Sequence, residues 1–282
     1  MKKTLKTILF ILAACVLAIA SKIFLPSEVN AEDFNSLLVL KFGFPIVATS
    51  YFVMIYTHNA VVTKWFSKNA RLSNLSCALR TGISFGLIYL LGMEEVVVEA
   101  SPFAEWGFPF VKYQFVMGIG EAVMALLLCL CIALFVVDKK DGASCEKINS
   151  ADFRAVFKKR FWAVVFIASG FFVERVILYN TGLISSDVKT YPVPTYIWTL
   201  IFGITLGICF CLIYPMVENE NRWWMSCFKT SVLAIGLCWI GFNLFIAFIY
   251  KDSLPDILIR SLTDTAVLFG TSVLWCTISK KV

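Results

Sequence analysis

"VKYQFVMGIGEAVMALLLCLCIALFVV", residues 111–137, decides the fold. Within it only Lys112 and Glu121 carry charge, and the run after Glu121 is wholly apolar. A membrane-crossing helix needs about 20 such residues. Working outward, comparable runs lie near 4–24, 37–57, 80–98, 161–181, 195–215, 228–250 and 258–278. The chain of 282 residues is 59% hydrophobic and only 16% charged, where soluble domains carry about 25% charged residues. A soluble protein could not cover so much apolar surface. The expected fold is therefore an all-α polytopic integral membrane protein with eight transmembrane helices. The connections leave no room for a soluble domain, so residues 1–282 read as a single transmembrane domain.

The net charge of +6 does not indicate nucleic acid. Of the 25 Lys and Arg residues, 18 fall at the ends of one topological side if the N-terminus is cytoplasmic. That sorting is the positive-inside pattern, and it predicts a plasma or inner membrane protein with both termini inside. The ten cysteines lie in spans or inner segments, where no disulfide framework is expected. "CLC" (129–131) and "CFC" (209–211) are not metal pairs, because helix neighbours two apart point about 200° apart. "LAAC" (12–15) and "AIA" (18–20) resemble processing sites. The apolar run continues past Cys15, however, so the first span is expected to be retained.

Small patterns recur along the chain. "LKT" (5–7), "LRT" (79–81) and "FKT" (228–230) open odd spans with a cation, and "KKRF" (158–161) opens the fourth odd span. "FGFP" (42–45), "WGFP" (106–109), "YPVP" (191–194) and "SLP" (253–255) open even spans, where proline suits the first helical turn. Pro45 and Pro194 are 149 positions apart, and Pro109 and Pro255 are 146 apart. The spacing predicts four tandem hairpins grouped into two parallel four-helix halves, 1–148 and 149–282. "GISFG" (82–86) and "GITLG" (203–207) are small-xxx-small motifs, expected to pack helices inside the protein.

Ionisable groups inside a membrane cost several kcal/mol and normally face the protein interior, a partner or water. Glu121 is the deepest acid, on a stripe with Gln114, Gly118 and Ala125. Lys22, Glu94, Glu174 with Arg175, and Asn243 stand at similar depth on the four odd spans. Lys41, Arg260 and Asp264 fall on the same side, and Arg260 and Asp264, four apart, can pair on one helix face. The candidate substrate- or ion-binding residues are Glu121, Glu174, Arg175, Asp264, Asn243 and Glu94. Glu95, Lys22, Lys41 and Arg260 read as interfacial and solvated, and interfacial solvation is also the leading reading of Glu94.

Catalytic chemistry is poorly supplied. His58 is the only histidine, read as interfacial at the inner end of span two. H-E-x-x-H, G-x-S-x-G and a phosphate loop are all absent from the sequence. "EEVVVE" (94–99) departs from the E-E-x-x-x-R of the glutamate-type intramembrane proteases, and no later histidine exists. No catalytic residue, metal site or cofactor is expected. The leading expectation is a small-solute transporter or permease component with a polar cavity in the outer half of the membrane. In it Glu121 would be the proton- or cation-linked group, and Glu174 and Arg175 would bind solute. The alternatives are a non-catalytic partner or sensor subunit of a membrane complex, and an integral-membrane enzyme acting on lipid. The expected partners are the lipid bilayer, a small-molecule or ion ligand, and a membrane protein.

Overall fold

A computed structural model describes residues 2–23, 34–97, 107–138, 150–218 and 222–279. All of its regular structure among these residues is helical. Among the described residues, eight helical stretches are long and apolar enough to cross a membrane: Lys2–Lys22, Phe44–Asn69, Asn74–Glu95, Gln114–Phe135, Lys158–Thr181, Pro192–Met216, Trp223–Ile249 and Leu254–Ser279. They fit a multi-pass membrane protein. The turn residues Glu99 and Glu105, and the basic segment with Lys139, Lys140, Cys145 and Lys147, lie outside the described residues.

The helices are α1 (Lys2–Ile23), α2 (Leu37–Phe42), α3 (Phe44–Asn69), α4 (Asn74–Gly92), α5 (Gly107–Phe135), α6 (Ser150–Thr181) and α7 (Pro192–Ile213), then α8 (Trp223–Phe228), α9 (Leu237–Ile249) and α10 (Leu254–Ser279). A 3-10 turn, Met93–Val97, continues α4, and a π-helical segment, Lys229–Gly236, joins α8 to α9. Proline stands in the first turn of each even span: Pro45 in α3, Pro109 in α5, Pro192 in α7 and Pro255 in α10. There its missing N–H would have had no helical partner.

Span two departs from the hydropathy expectation of 37–57. The apolar stretch breaks at Gly43, whose φ of +82° suits only glycine, and the spanning helix starts at Phe44 and runs to Asn69. Hydropathy ended the span early because Thr57, His58 and Asn59 read as polar. Thr57 is exposed, but His58 and Asn59 find partners inside the bundle. The Tyr89 hydroxyl donates to Asn59 Oδ1 at 3.0 Å, and His58 Nε2 lies 2.9 Å from the Leu233 carbonyl. His58 is therefore not interfacial but within the bundle, against the Phe85 ring. Leu233 belongs to the π-helical segment. The imidazole meets a carbonyl of this widened backbone.

Both glycine motifs pack helices within the protein, as expected. A Cβ on Gly86 of α4 would stand 3.2 Å from the Ala122 carbonyl oxygen of α5, and one on Gly207 of α7 would stand 2.8 Å from Val164 Cα of α6. Such contacts let backbones approach where no side chain fits. Elsewhere α1 packs on α3 and α5, and α10 packs on α6, α9 and the π-helical segment. Between these sets, α4 meets α7 and α3 meets α9. An aromatic row fills this seam. Trp198 stacks on Phe202 at 5.0 Å, Phe202 meets Trp239 at 4.4 Å, Trp239 stacks on Phe242 at 5.8 Å, and Phe242 stacks on Tyr89 at 5.6 Å. The nine described cysteines are free thiols.

Candidate functional site

At one end of the aromatic row lies a buried network of carboxylates and guanidiniums. Its centre is Arg175 of α6, fully buried. Nε and Nη2 donate to the two oxygens of Asp264 in α10, at 2.8 and 2.6 Å. The planar guanidinium matches the carboxylate in this two-pronged way, which a lysine cannot do. Nη1 lies 2.8 Å from Glu95 Oε1, and the cation also faces the Phe171 and Trp198 rings at 5.2 and 5.7 Å. Trp239 of α9 donates Nε1–H to Asp264 Oδ2 at 2.8 Å. Asp264 thus takes bonds from two elements at once, which is what a buried carboxylate requires.

Glu95 carries the network across the seam. Its Oε1 accepts from Arg175 and also from Arg260 Nη1 at 3.2 Å. Arg260 Nη2 donates to Asp256 Oδ2 at 3.0 Å and to the Ser185 carbonyl at 2.7 Å, and the Ser185 amide donates back to Asp256 Oδ1 at 2.7 Å. The loop after α6 is so fastened to the first turn of α10. Arg260 does not pair with Asp264 as the i,i+4 spacing suggested. It reaches one turn backward to Asp256, because Arg175 already fills both Asp264 oxygens.

Glu174 borders the same network. Its Oε2 is 3.9 Å from Arg175 Nε, and both carboxyl oxygens are buried without a hydrogen-bond partner. The cluster sets two guanidiniums, Arg175 and Arg260, against four carboxyls, Glu95, Glu174, Asp256 and Asp264. In low dielectric such an excess of acids is costly unless protons or a cation offset it.

Glu121 belongs to a different cluster. Lys22 of α1 donates to its Oε1 at 2.7 Å and lies over the Phe52 ring at 4.5 Å. Glu121 Oε2 and the hydroxyls of Tyr51 and Tyr56 are buried without hydrogen-bond partners, and the carboxylate lies within electrostatic reach of both phenols. Gln114, Gly118, Glu121 and Ala125 do share an inward face: Gln114, Glu121 and Ala125 are buried, and Gly118 faces the Leu90 backbone of α4.

Three of the candidates from sequence, Glu174, Arg175 and Asp264, therefore meet at one place. Asn243 is buried one turn beyond Trp239, donating its amide to the Trp239 carbonyl at 3.2 Å. Glu94 turns Oε1 into a buried position without a hydrogen-bond partner. Glu95, Lys22 and Arg260, expected to be solvated at the interface, are instead ion-paired inside the protein. Sequence reasoning also passed over Trp239 and Tyr179, the latter 3.4 Å from Arg175 Nη1. Tyr179 stands four positions after Arg175, a spacing that could have found it. No group of three His, Cys, Asp or Glu residues among the described residues has metal-binding geometry. No family model matches the chain, and no curated protein or solved structure matches it either.

Proposed function

We propose that the protein is a small-solute transporter or permease component of the cell membrane, built of two parallel four-helix halves that move against each other. The observation that carries this reading is Glu95. It comes from the first four spans and bridges two arginines of the last four, Arg175 and Arg260. A buried ion pair is a poor source of net stability, because desolvation offsets most of its attraction. Its value here is as a latch between the halves, closing one end of the seam. Glu174, buried beside the latch and lacking a hydrogen-bond partner, is the group that takes up a proton or coordinates a cation when the latch opens.

The two halves carry parallel chemistry, which supports the duplication. Lys22 on the first span pairs with Glu121 on the fourth, and Arg175 on the fifth pairs with Asp264 on the eighth. Each cation also faces an aromatic ring of the next span, Phe52 or Trp198. Phe52 and Trp198 are 146 positions apart, as are Pro109 and Pro255. In this scheme the tandem hairpins form each half, both termini are cytoplasmic, and the latch lies on the outer side. Glu121, held by Lys22, acts as a fixed brace rather than as the carrier group first expected.

The test is conformational. Spin labels on bioorthogonal residues at exposed positions 46, in α3, and 183 report the separation of the halves at the latch end. Glu95→Gln should broaden or lengthen the distance distribution, and a solute that binds the wild type should shift it. A single, narrow distance common to wild type and Glu95→Gln, at every pH and with every solute in a broad panel, would sink the transporter reading. It would leave the partner-subunit alternative.

A further inference from the structure

At the opposite end of the bundle, where α6 begins and α7 and α10 end, a cavity of about 300 Å³ opens between the three helices. Its walls include Lys159, Arg160, Tyr214, Glu218, Trp275 and Ser279. Lys159 and Arg160 are exposed, and neither is paired with a carboxylate among the described residues. A third cation, the Arg80 guanidinium of α4, lies within electrostatic reach of Arg160 and is fixed by donating to the Leu212 carbonyl at 2.9 Å. The cavity itself is lined by two cations, Lys159 and Arg160, and one carboxylate, Glu218, while Arg80 stands behind Arg160 outside the lining. Clustered like charges repel, and the arrangement is relieved by a bound anion.

The depth and the rim say what kind of anion. The apolar run of α6 begins after Arg160 and that of α10 gives way to Lys280 and Lys281, which puts the cavity at the level expected of lipid headgroups. Beside it, large apolar side chains face outward: Phe161 and Trp162 on α6, and Leu274 and Ile278 on α10. Trp and Tyr are side chains suited to this boundary, with an apolar body and a polar edge. A ligand with a phosphate head and apolar tails would use every one of these features, whereas a free anion would use only the cations.

We propose that this cavity binds the phosphate headgroup of an anionic phospholipid. Lys159 and Arg160 contact the phosphate, Trp275 and Tyr214 wall the glycerol region, and the acyl chains follow the exposed faces of α6 and α10. The site is separate from the Glu95 latch and does not depend on the transporter reading.

The experiment uses the full chain, delipidated in detergent and titrated with phosphatidylglycerol, phosphatidylcholine or inorganic phosphate, with bound molecules counted by native mass spectrometry. Wild type should retain one phosphatidylglycerol more tightly than phosphatidylcholine. Lys159→Gln with Arg160→Gln should weaken that binding by about thirtyfold, as expected for two basic contacts at a membrane surface. Each single variant should give a smaller loss. These side chains are exposed, so thermal unfolding of the variants should match wild type. Equal phosphatidylglycerol affinity in wild type and double variant overturns the proposal, as does equal affinity of wild type for the two lipids. Displacement of phosphatidylglycerol by millimolar inorganic phosphate overturns the lipid assignment in favour of a free anion.

Discussion

Arg175 grips Asp264 through two parallel hydrogen bonds, of 2.8 and 2.6 Å, joining α6 to α10 in a place with no access to water. Removing one partner strands the other. Arg175→Met should destabilise the protein by about 3–5 kcal/mol, because Asp264 and Glu95 lose their shared cation. Arg175→Met combined with Asp264→Leu should recover most of that loss. Reversible unfolding in mixed micelles measures both, and equal costs for the single and double variants would refute the pairing.

The adjacent glutamates should separate cleanly. Glu95→Gln weakens bonds to two arginines and should cost about 1.5–3 kcal/mol, the range for a hydrogen bond to a charged group. Glu94→Gln replaces a buried carboxyl whose Oε1 has no hydrogen-bond partner, and should be neutral or stabilising. A thermal-unfolding comparison decides this, and the reverse order would mean that the 3-10 turn presents the other residue inward.

Helix contact at the glycines predicts a graded series. Gly207→Ala must push α6 away from α7, at a cost of about 1–3 kcal/mol for overpacking. Gly270→Ala meets nothing within 4 Å and should be neutral or slightly stabilising. The two substitutions add the same methyl group, so a similar effect of both on unfolding would contradict the close approach.

The π-helical segment offers a sharper test. The wide turns of the segment hold about one residue more than an α-helix of the same rotation. Deleting one residue from 229–236 should therefore restore a regular helix and keep α9 in phase, with Trp239 still on Asp264 and Phe242 in the aromatic row. The deletion should cost about 1 kcal/mol, through the displaced His58–Leu233 contact, as should His58→Phe. Trp239→Phe, which removes a hydrogen bond to a buried carboxylate, should cost more, about 1.5–3 kcal/mol. Unfolding free energies measure the order, and a deletion costlier than Trp239→Phe would contradict the kept phase.

At the exposed end of α5, the Lys3 ammonium bonds Asp138 and holds its carboxyl below the usual carboxylate range. A depressed folded-state pKa contributes stability above the unfolded value, and that contribution is lost only as pH falls through the lower folded value. Docking of the first turn of α1 should therefore be constant from pH 7 to pH 5 and weaken only in stronger acid. Because the pair is exposed, it should also weaken with salt. Amide exchange at residues 3–7 reports both, and a loss between pH 7 and pH 5 would assign the docking to other groups.

Much of this architecture can be read without coordinates. Apolar runs of membrane length give eight spans, because a helix is the one open structure that satisfies its own backbone in hydrocarbon. The prolines place the starts of the even spans, and the glycine motifs identify helices that approach closely. The limits are equally physical. Span two was misplaced because hydropathy scores His58 and Asn59 by their cost in lipid, while in the bundle both meet hydrogen-bond partners. Position alone assigns Glu95 to the interface, because it stands where a span ends. Whether such a residue turns to water or inward depends on the phase of the last helical turn.

The amino-acid order alone points to an apolar solvent, to a helical class and to the short list of groups too costly to leave in lipid. Those follow from composition and local periodicity, which act residue by residue. The pairing emerges only in the folded bundle: Lys22 with Glu121 across 99 positions, Arg175 with Asp264 across 89, and Arg260 with Glu95 across 165. Partner choice among buried charges depends on distances of a few ångströms between helices remote in the chain. Coulomb attraction in a low dielectric then makes that geometry decisive.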